Sequence, residues 1–281
     1  MSQKSYNNTP SLYIVPTPIG NMEDITYRAI NVLNGVDIIF SEDTRVTSNL
    51  LNYYNIKKKL VSSHKFNENV SSEKLIEFLK LGKNVALVSD RGTPILSDPG
   101  NICVKKAIEN GFNVISLPGA TAAIPALTSS GLDCSKFIFY GFLSNKKQKR
   151  LEELNKLKLI NMTIIIYEAP HRIINTLNDI LFVFGDTKIS VSREISKKFE
   201  EIYRGNAKDI LSDIQNPKGE YVIVISKSEN TNEIYNISIK DQYNNYINQG
   251  IDEKTAIKMI AKERKVPKNE IYKEVKLFPG K

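Results

Sequence analysis

Cysteine and histidine are both scarce in this chain of 281 residues, which contains two of each. The two cysteines, Cys103 and Cys134, form no Cys-x-x-Cys pair. So few thiols and imidazoles exclude a structural zinc site, and we expect no bound metal. Both cysteines are expected to be buried thiols.

Long apolar runs are missing as well. The longest are of the type TIIIY at 163–167, far short of the roughly 20 residues that a membrane helix needs, so we expect no membrane partner. The first ten residues are polar and contain no apolar core segment, which predicts no signal peptide and a cytoplasmic location. With 41% hydrophobic and 25% charged residues, the composition is that of a globular chain.

Several catalytic signatures are also absent. The chain contains no GxxxxGK[ST], no GxGxxG after its first predicted strand, no GxSxG and no HExxH. A P-loop, an ordinary dinucleotide site, a serine nucleophile on an elbow and a zinc hydrolase are therefore disfavoured.

What the chain does have is an alternation of two kinds of segment. Short β-branched runs at 12–15, 36–40, 84–89 and 113–117 each lead into a loop of Gly, Pro or acidic residues. Between some of these runs, the segments 71–83 and 103–111 have apolar residues at the spacing of a helix. This alternation predicts βαβ units and a parallel sheet. Because ligands bind at the carboxyl ends of such strands, the loops predict one site for a polar small molecule such as an adenosine derivative.

The second half of the chain predicts a second α/β unit and then a helical tail. Two short helices in the tail, 253–264 and one carrying Ile271 and Val275, resemble a helix-turn-helix; a helical hairpin packed on its own body is the alternative. The predicted organisation is a disordered tail (1–10), a first α/β domain (11–131), a second α/β domain (132–228), a linker (229–239) and a helical module (240–281).

The charge balance is basic, with 39 Lys and Arg against 31 Asp and Glu and a net charge of +8. Such a balance suits a polyanionic partner such as nucleic acid. The chain is also rich in Lys, Asn and Ile, a bias that AT-rich coding produces without selection on charge. The charge alone leaves these two explanations open.

Nine motifs occur in the order typical of one family. With them the chain resembles the tetrapyrrole-methylase-fold family of S-adenosylmethionine-dependent methyltransferases, most closely its bacterial 16S rRNA (cytidine-2′-O)-methyltransferases. The resemblance spans about residues 11–275. The motifs are VPTPIGNMEDIT (15–26), SEDTR (41–45), HKFNEN (64–69), SDRGTPILSDPG (89–100), PGATAAIPAL (118–127), GFLSNKKQKR (141–150), YEAPHR (167–172), REISKKFEEIYRG (193–205) and KGEYVIVIS (218–226).

The resemblance implies two α/β domains with the methyl donor in the cleft between them, a small C-terminal helical module and a homodimer. It implies methyl transfer from S-adenosylmethionine to the ribose 2′-hydroxyl of a cytidine in the decoding region of 16S rRNA, with the rRNA or the 30S subunit as partner. The rival interpretations are a methyltransferase of porphyrin or corrin precursors and a non-catalytic nucleic-acid-binding protein. Two residues depart from the family: Arg91 stands where Ala is usual, and Ser144, in a loop expected to be mobile, where Pro is common.

The family's cleft loops give candidates for cofactor binding, mainly through backbone groups. For Leu96 and Ala122, simple core packing is an equal alternative. The candidates are Pro16, Thr17, Gly92, Thr93, Leu96, Thr121, Ala122, Tyr167, Ala169 and Gly219.

A ribose hydroxyl is a poor acid, so a general base or a nearby cation would assist methyl transfer. His64 is favoured because imidazoles titrate near neutral pH. For Asp43 the alternative is a helix cap before Thr44, with Arg45 paired to Glu42. The catalytic candidates are His64, Asp43, Glu68, Glu168 and Lys218.

The densest basic run lies at 146–150, and a solvated helix start is its alternative interpretation. Basic residues further along the chain extend the predicted RNA surface. The RNA-binding candidates are Lys146, Lys147, Lys149, Arg150, Arg193 and Lys197.

Overall fold

The computed structural model describes residues 2–5, 7–227, 238–248, 251–264 and 266–276. Its contacts divide into two compact units. The larger comprises Met1–Leu157 with Met162–Lys227, and the smaller Lys158–Asn161 with Ser228–Lys281. In the described part of the chain, helices of the length and apolarity required to span a membrane do not occur.

The first half of the larger unit is a five-stranded parallel sheet with the order β3-β2-β4-β1-β5. The strands are β1 (Ser11–Ile14), β2 (Ile38–Ser41), β3 (Lys59–Ser62), β4 (Val85–Val88) and β5 (Asn113–Ser116). The connecting helices are α1 (Tyr27–Gly35), α2 (Thr44–Tyr53), α3 (Glu68–Lys80) and α4 (Asn101–Glu109). The parallel sheet predicted from the alternation is confirmed.

Strand β4 shows why this sheet is covered on both faces. Val85 and Leu87 belong to the core cluster that contains residues of α3 and α4. Ala86 and Val88 belong to the cluster that contains residues of α1 and α2. Successive side chains of a strand point to opposite faces, so an unbroken apolar run marks a strand buried between two helix layers.

The second half of the larger unit is a mixed sheet with the order β6-β7-β10-β8-β9. Only β6 and β7 pair in parallel; the other neighbours are antiparallel. The strands are β6 (Phe137–Phe142), β7 (Thr163–Glu168), β8 (Lys188–Arg193), β9 (Glu201–Asn206) and β10 (Tyr221–Ile225). The helices are α5 (Ala123–Ser129), α6 (Lys147–Lys158), α7 (Ile173–Phe184) and α8 (Ala207–Asp213).

Helix α5 packs on the second sheet, although the predicted boundary at 131/132 assigns it to the first domain. Ala126 and Leu127 share a core cluster with Ile165 of β7 and Val224 of β10. The chain therefore passes from one sheet to the other before α5 rather than after it.

In the described residues of the smaller unit, the helices are α9 (Ile239–Asn248), α10 (Glu253–Arg264) and α11 (Lys268–Lys276). Ile257, Ile260 and Ile271 form its core, with Tyr243 packed against them. The sequence predicted the last two helices but not α9. Most of the predicted linker 229–239 lies outside the described residues, and its last residue begins α9.

Near the N-terminus, the described part of the predicted disordered tail is held against β5. The Gln3 side chain donates to the Val114 carbonyl and accepts from the Val114 amide, both at 3.0 Å. The Asn113 amide group donates to Asn7 at 2.9 Å. The tail therefore satisfies backbone groups on the outer edge of a strand at the sheet margin.

Both cysteines are free thiols, but they differ in burial. Cys103 is buried, as predicted, whereas Cys134 is exposed. The expectation was wrong for Cys134 because this residue lies on the connection between α5 and β6, outside either core.

Candidate functional site

A cavity of about 560 Å³ opens where loops of the first sheet face loops of the second. Its volume is within the range of small-molecule sites. The walls come from the segments after β2, β4, β5 and β7 and before β10. Seven of the ten predicted cofactor residues line it: Gly92, Thr93, Leu96, Thr121, Ala122, Tyr167 and Ala169.

Pro16 and Thr17 do not line the cavity, but Thr17 holds a loop that does. Thr17 exchanges two backbone hydrogen bonds of 2.9 Å with Gly92, and its hydroxyl donates to the Ser89 carbonyl at 3.2 Å. Both Pro16 and Thr17 are buried. The structure gives Thr17 a positioning role, and contact of either residue with the cofactor stays a prediction.

The loop after β4 is hydrogen-bonded to the loop after β5, and its backbone is strained at two residues that follow this bond. The Thr93 hydroxyl donates to the Ala120 carbonyl at 3.1 Å. Ile95 and Ser97 have φ angles of +79° and +70°, which side-chain-bearing residues rarely adopt. Between them Leu96 is exposed on the cavity wall. Strain of this kind is typical of ligand-binding loops.

Gly219 lies beside the cavity rather than on its wall. A Cβ atom there would lie 2.5 Å from Glu194 Cγ, so glycine is needed for the close approach of Glu194. The next residue, Glu220, does line the cavity. Arg91 reaches this carboxylate from the opposite sheet with an N–O distance of 3.0 Å.

Four acidic residues on the wall were absent from the predicted site: Glu42, Asp90, Asp98 and Glu220. Burial, together with the neighbouring Glu42 carboxylate, raises the pKa of Asp98 to about 6. Burial also raises the pKa of Glu42, with a second contribution from Asp90. The signal was available in the sequence, because Glu42 and Asp90 follow apolar strands almost directly and acidic groups there must be solvated, paired or used.

Asp43 caps helix α2, which was the alternative to its predicted catalytic role. Its carboxylate accepts from the Arg45 amide at 2.9 Å and pairs with the Arg45 guanidinium at 2.5 Å. The Arg45 side chain lowers the pKa of Asp43 to about 2. Arg45 therefore pairs with Asp43 rather than with Glu42, and Glu42 is left facing the cavity.

His64 lies in the turn before α3 and Glu68 is the first residue of that helix; neither lines the cavity. His64 Nδ1 accepts from the Phe66 amide at 3.2 Å. The Glu68 carboxylate accepts from the amides of Gly100 and Ile102, at 2.9 and 2.8 Å, at the start of α4. Glu68 is therefore a capping residue instead of the expected catalytic group.

Glu168 and Lys218 also differ from the expectation. Glu168 lines the cavity but is buried and fully engaged: Thr176 donates to it at 2.6 Å and the Ala169 amide at 2.8 Å, and Arg172 Nε lies at 3.1 Å. A carboxylate that accepts two hydrogen bonds and also pairs with a guanidinium is an anchor rather than a free base. Lys218 is exposed and lies outside the set of cavity residues.

The predicted RNA residues separate into exposed and engaged side chains. Lys146, Lys147 and Lys149 are exposed around the start of α6. Arg150 is only 5% exposed and pairs with Asp179 at 2.6 Å, so the structure gives it a structural role instead of the expected RNA contact.

The other two predicted RNA residues are engaged with acidic partners. Arg193 pairs with Glu201 at 3.1 Å. Lys197 pairs with Glu194 and Glu220, both at 2.8 Å, and lines the cavity. Burial opposes protonation of Lys197, but the hydrogen bonds to the two carboxylates outweigh it and raise its pKa.

Comparison with known proteins places this geometry in a family. The model of the tetrapyrrole (corrin/porphyrin) methylases matches residues 11–211. The chain is 44% identical over 282 residues to ribosomal RNA small subunit methyltransferase I of Bacillus subtilis (strain 168), covering 96% of each chain. It is 41% identical over 281 residues to the protein of the same name in Halalkalibacterium halodurans, covering 96% of this chain and 97% of the relative.

Among solved structures, uroporphyrin-III C-methyltransferase from Thermus thermophilus in complex with S-adenosylhomocysteine is similar in fold. The TM-score is 0.56 and the identity 16%, covering 76% of this chain and 96% of that one. At this identity the likeness shows a shared fold.

Proposed function

The chain belongs to the tetrapyrrole methylase family, and from this premise we propose that it methylates the ribose 2′-hydroxyl of a cytidine in the decoding region of 16S rRNA, using S-adenosylmethionine. One observation carries the proposal. Two relatives named as methyltransferases of the small-subunit rRNA are 41–44% identical over almost their whole length. The basic net charge of +8 is consistent with an RNA substrate.

The cavity fits a methyl donor of this kind in size and in chemistry. Its volume of about 560 Å³ suits a nucleoside-sized ligand. Leu96 and Ala122 offer apolar surface, and the carboxyl groups of Glu42, Asp90 and Asp98 favour a cation. When bound, S-adenosylmethionine supplies an activated methyl group on a sulfonium.

The residues of the chain then have two tasks. The tied loops around Gly92, Thr93 and Thr121 fix the donor so that the ribose oxygen meets the methyl carbon in line, and such positioning supplies much of the rate. Methyl transfer would form an O–C bond and break the C–S bond of the donor, with the electron pair left on sulfur, and a side chain of the protein would accept the hydroxyl proton.

We assign the proton to Asp98, with Glu42 as its neighbour. The pKa of Asp98 is raised to about 6, chiefly by burial, so Asp98 is ionised at neutral pH and remains a stronger base than an ordinary carboxylate. Both carboxyl groups line the cavity, whereas His64, the base predicted from the sequence, does not. The alanine variant of His64 tests the sequence-based alternative, in which His64 is the base.

The proposal extends to the partner and the location. The substrate is 16S rRNA, free or within the 30S particle, and the protein acts in the cytoplasm as a homodimer. Sedimentation of the purified protein tests the dimer.

Mass mapping of 16S rRNA from cells with and without the gene tests the proposed function. We expect one cytidine in the decoding region to carry a ribose methyl group only when the gene is present. Identical methylation maps from the two strains would contradict it.

A further inference from the structure

Phe142 is an exposed aromatic ring on the cavity wall, and neither the cofactor loops nor the proton acceptor require it. Its side chain is 52% exposed, and it lies beside Tyr167 and Ala169 on the wall. An exposed ring inside a site leaves a flat apolar surface for a ligand to cover.

Phe142 points into the cavity because β6 contains a bulge. The register with β7 shifts between Phe139 and Gly141, and Gly141 has a φ of +80°, which favours glycine. In a regular strand Phe139 and Phe142 would point to opposite faces. Here both rings meet Tyr167 edge-on, with centroids at 4.9 and 5.7 Å. The bulge therefore re-aims Phe142, as bulges beside active sites do.

The loop after Phe142 is held by a partly buried arginine. Arg172 donates to the carbonyls of Leu143 and Ser144, at 2.7 and 3.3 Å, and to the Asn145 side chain. The buried Glu168 holds Arg172 in turn, with Nε–Oε1 at 3.1 Å.

A second arginine, the buried Arg150 of α6, supports the same loop. Arg150 donates to the carbonyls of Ser144 and Asn145, both at 3.4 Å, and Asp179 fixes it. Rigid supports of this kind keep the side chains at both ends of the loop in place.

The other end of this loop carries positive charge. Lys146, Lys147 and Lys149 are exposed, and no ion pair involves them within the described ranges. Phe142 and Lys146 are four residues apart, so at most about 14 Å separates their Cα atoms. A single strand of nucleic acid can touch both, and aromatic platforms next to basic tracks are how such strands are bound.

We propose that Phe142 stacks on a nucleobase of the RNA substrate, while Lys146, Lys147 and Lys149 bind the phosphates of the same strand. The inference rests on the proposed function and names part of its substrate-binding surface. The bases of a duplex are inaccessible to such a ring, so the nucleotide on Phe142 is unpaired or flipped out of its helix. The stacked base orients its strand at the cavity, where the methyl group is transferred.

Three variants test the ring with 30S particles from a strain lacking the gene. Phe142→Leu keeps an apolar side chain but removes the aromatic ring. Phe142→Tyr keeps the aromatic ring. Phe137→Leu is the matched control, because Phe137 is 41% exposed on the same strand but does not line the cavity. The measurements are KM for the particle and the affinity for S-adenosylmethionine by calorimetry.

We expect Phe142→Leu to raise KM for the particle about tenfold, a typical loss for one stacked base. Phe142→Tyr and Phe137→Leu should stay within about twofold of the wild type, and cofactor affinity should not change. An equal loss of cofactor affinity in Phe142→Leu would overturn the inference, because the ring would then contact the cofactor. An unchanged KM would overturn it as well.

Replacement of Lys146, Lys147 and Lys149 by glutamine tests the proposed phosphate contacts. The slope of log affinity against log salt should fall by about two to three, because each phosphate contact contributes roughly one. An unchanged slope overturns the phosphate contacts. If the wild-type protein neither binds nor methylates the particle, the proposed function itself fails. If the wild type is active and the variants behave like it, only this inference fails.

Discussion

The guanidinium of Arg91 lies 3.0 Å from the carboxylate of Glu220 and joins the loop after β4 to the segment before β10. Glu220 also accepts from Lys197 at 2.8 Å. Two cations thus converge on one carboxylate at the wall of the cavity. Both Arg91 and Glu220 are more than half exposed, so water screens their attraction.

We expect Arg91→Ala to lower the free energy of unfolding by less than about 1 kcal/mol, because exposed ion pairs contribute little. The difference should shrink further at high salt. Urea unfolding of both proteins at low and high ionic strength measures it. A loss of more than about 2 kcal/mol, independent of salt, would contradict this account of the pair.

Arg150→Met should have a much larger effect. The Arg150–Asp179 pair is buried, and removal of one partner leaves an uncompensated charge, at a cost of about 3–5 kcal/mol. Lys149→Met is the matched control, since Lys149 is exposed one residue earlier on the same helix. Thermal unfolding of the two variants measures the difference. A stable Arg150→Met protein with weakened RNA binding would restore Arg150 to the RNA surface.

Arg150 also shows how far the sequence predicts the site. In the linear sequence, KKQKR at 146–150 is a single basic run. On helix α6, however, Arg150 shares the buried face with Leu154 and Leu157, at spacings of four and three residues. Helical periodicity could have identified its inward position, but the partner Asp179 is 29 residues away and only the fold brings it close.

The strands also divide into some that the sequence predicts and some that it does not. Apolar runs predicted the three inner strands and β5 of the first sheet, because these strands are covered by helices. The run KLVS of β3 and the run EIYRGN of β9 were missed. Both strands lie at a sheet edge, where one neighbour is absent and partly exposed polar residues are tolerated.

The cavity loops could be predicted from the rule that ligands bind at the carboxyl ends of parallel strands. The general base that we propose, Asp98, could not. His64 and Asp98 are both near polar neighbours in the sequence, and only the three-dimensional structure shows that Asp98 lines the cavity beside Glu42.

The pH dependence of methyl transfer tests the assignment of Asp98. Its pKa of about 6 means that the carboxylate is protonated, and unable to accept a proton, below that pH. The single-turnover rate at saturating cofactor should therefore fall about tenfold per pH unit below pH 6 and level off above it. Asp98→Asn should lose at least about tenfold at neutral pH and lose this dependence.

His64→Ala is the comparison for that experiment. Because His64 does not line the cavity, the variant should keep the wild-type rate within about threefold and the same pH profile. An inactive His64→Ala protein together with a fully active Asp98→Asn protein would reverse the assignment.

Thr93→Arg should abolish binding of S-adenosylmethionine while the protein stays folded. The new side chain would project into the cavity and place a cation opposite the sulfonium, and the lost hydrogen bond to Ala120 costs only about 1 kcal/mol of stability. Thr128→Arg adds the same charge at an exposed position of α5 outside the cavity. Calorimetry with both variants should show heat of binding only for Thr128→Arg; equal affinities would exclude this loop from the cofactor site.

The most direct test of the proposed function follows a labelled methyl group from S-adenosylmethionine to its acceptor. The purified protein is incubated in parallel with 30S particles from a strain lacking the gene, with naked 16S rRNA and with a porphyrin precursor. Digestion of the rRNA to nucleosides and mass spectrometry then identify the labelled product. We predict label in 2′-O-methylcytidine from a single position and none in the porphyrin precursor; label on a base, or in the porphyrin precursor alone, would contradict the proposal.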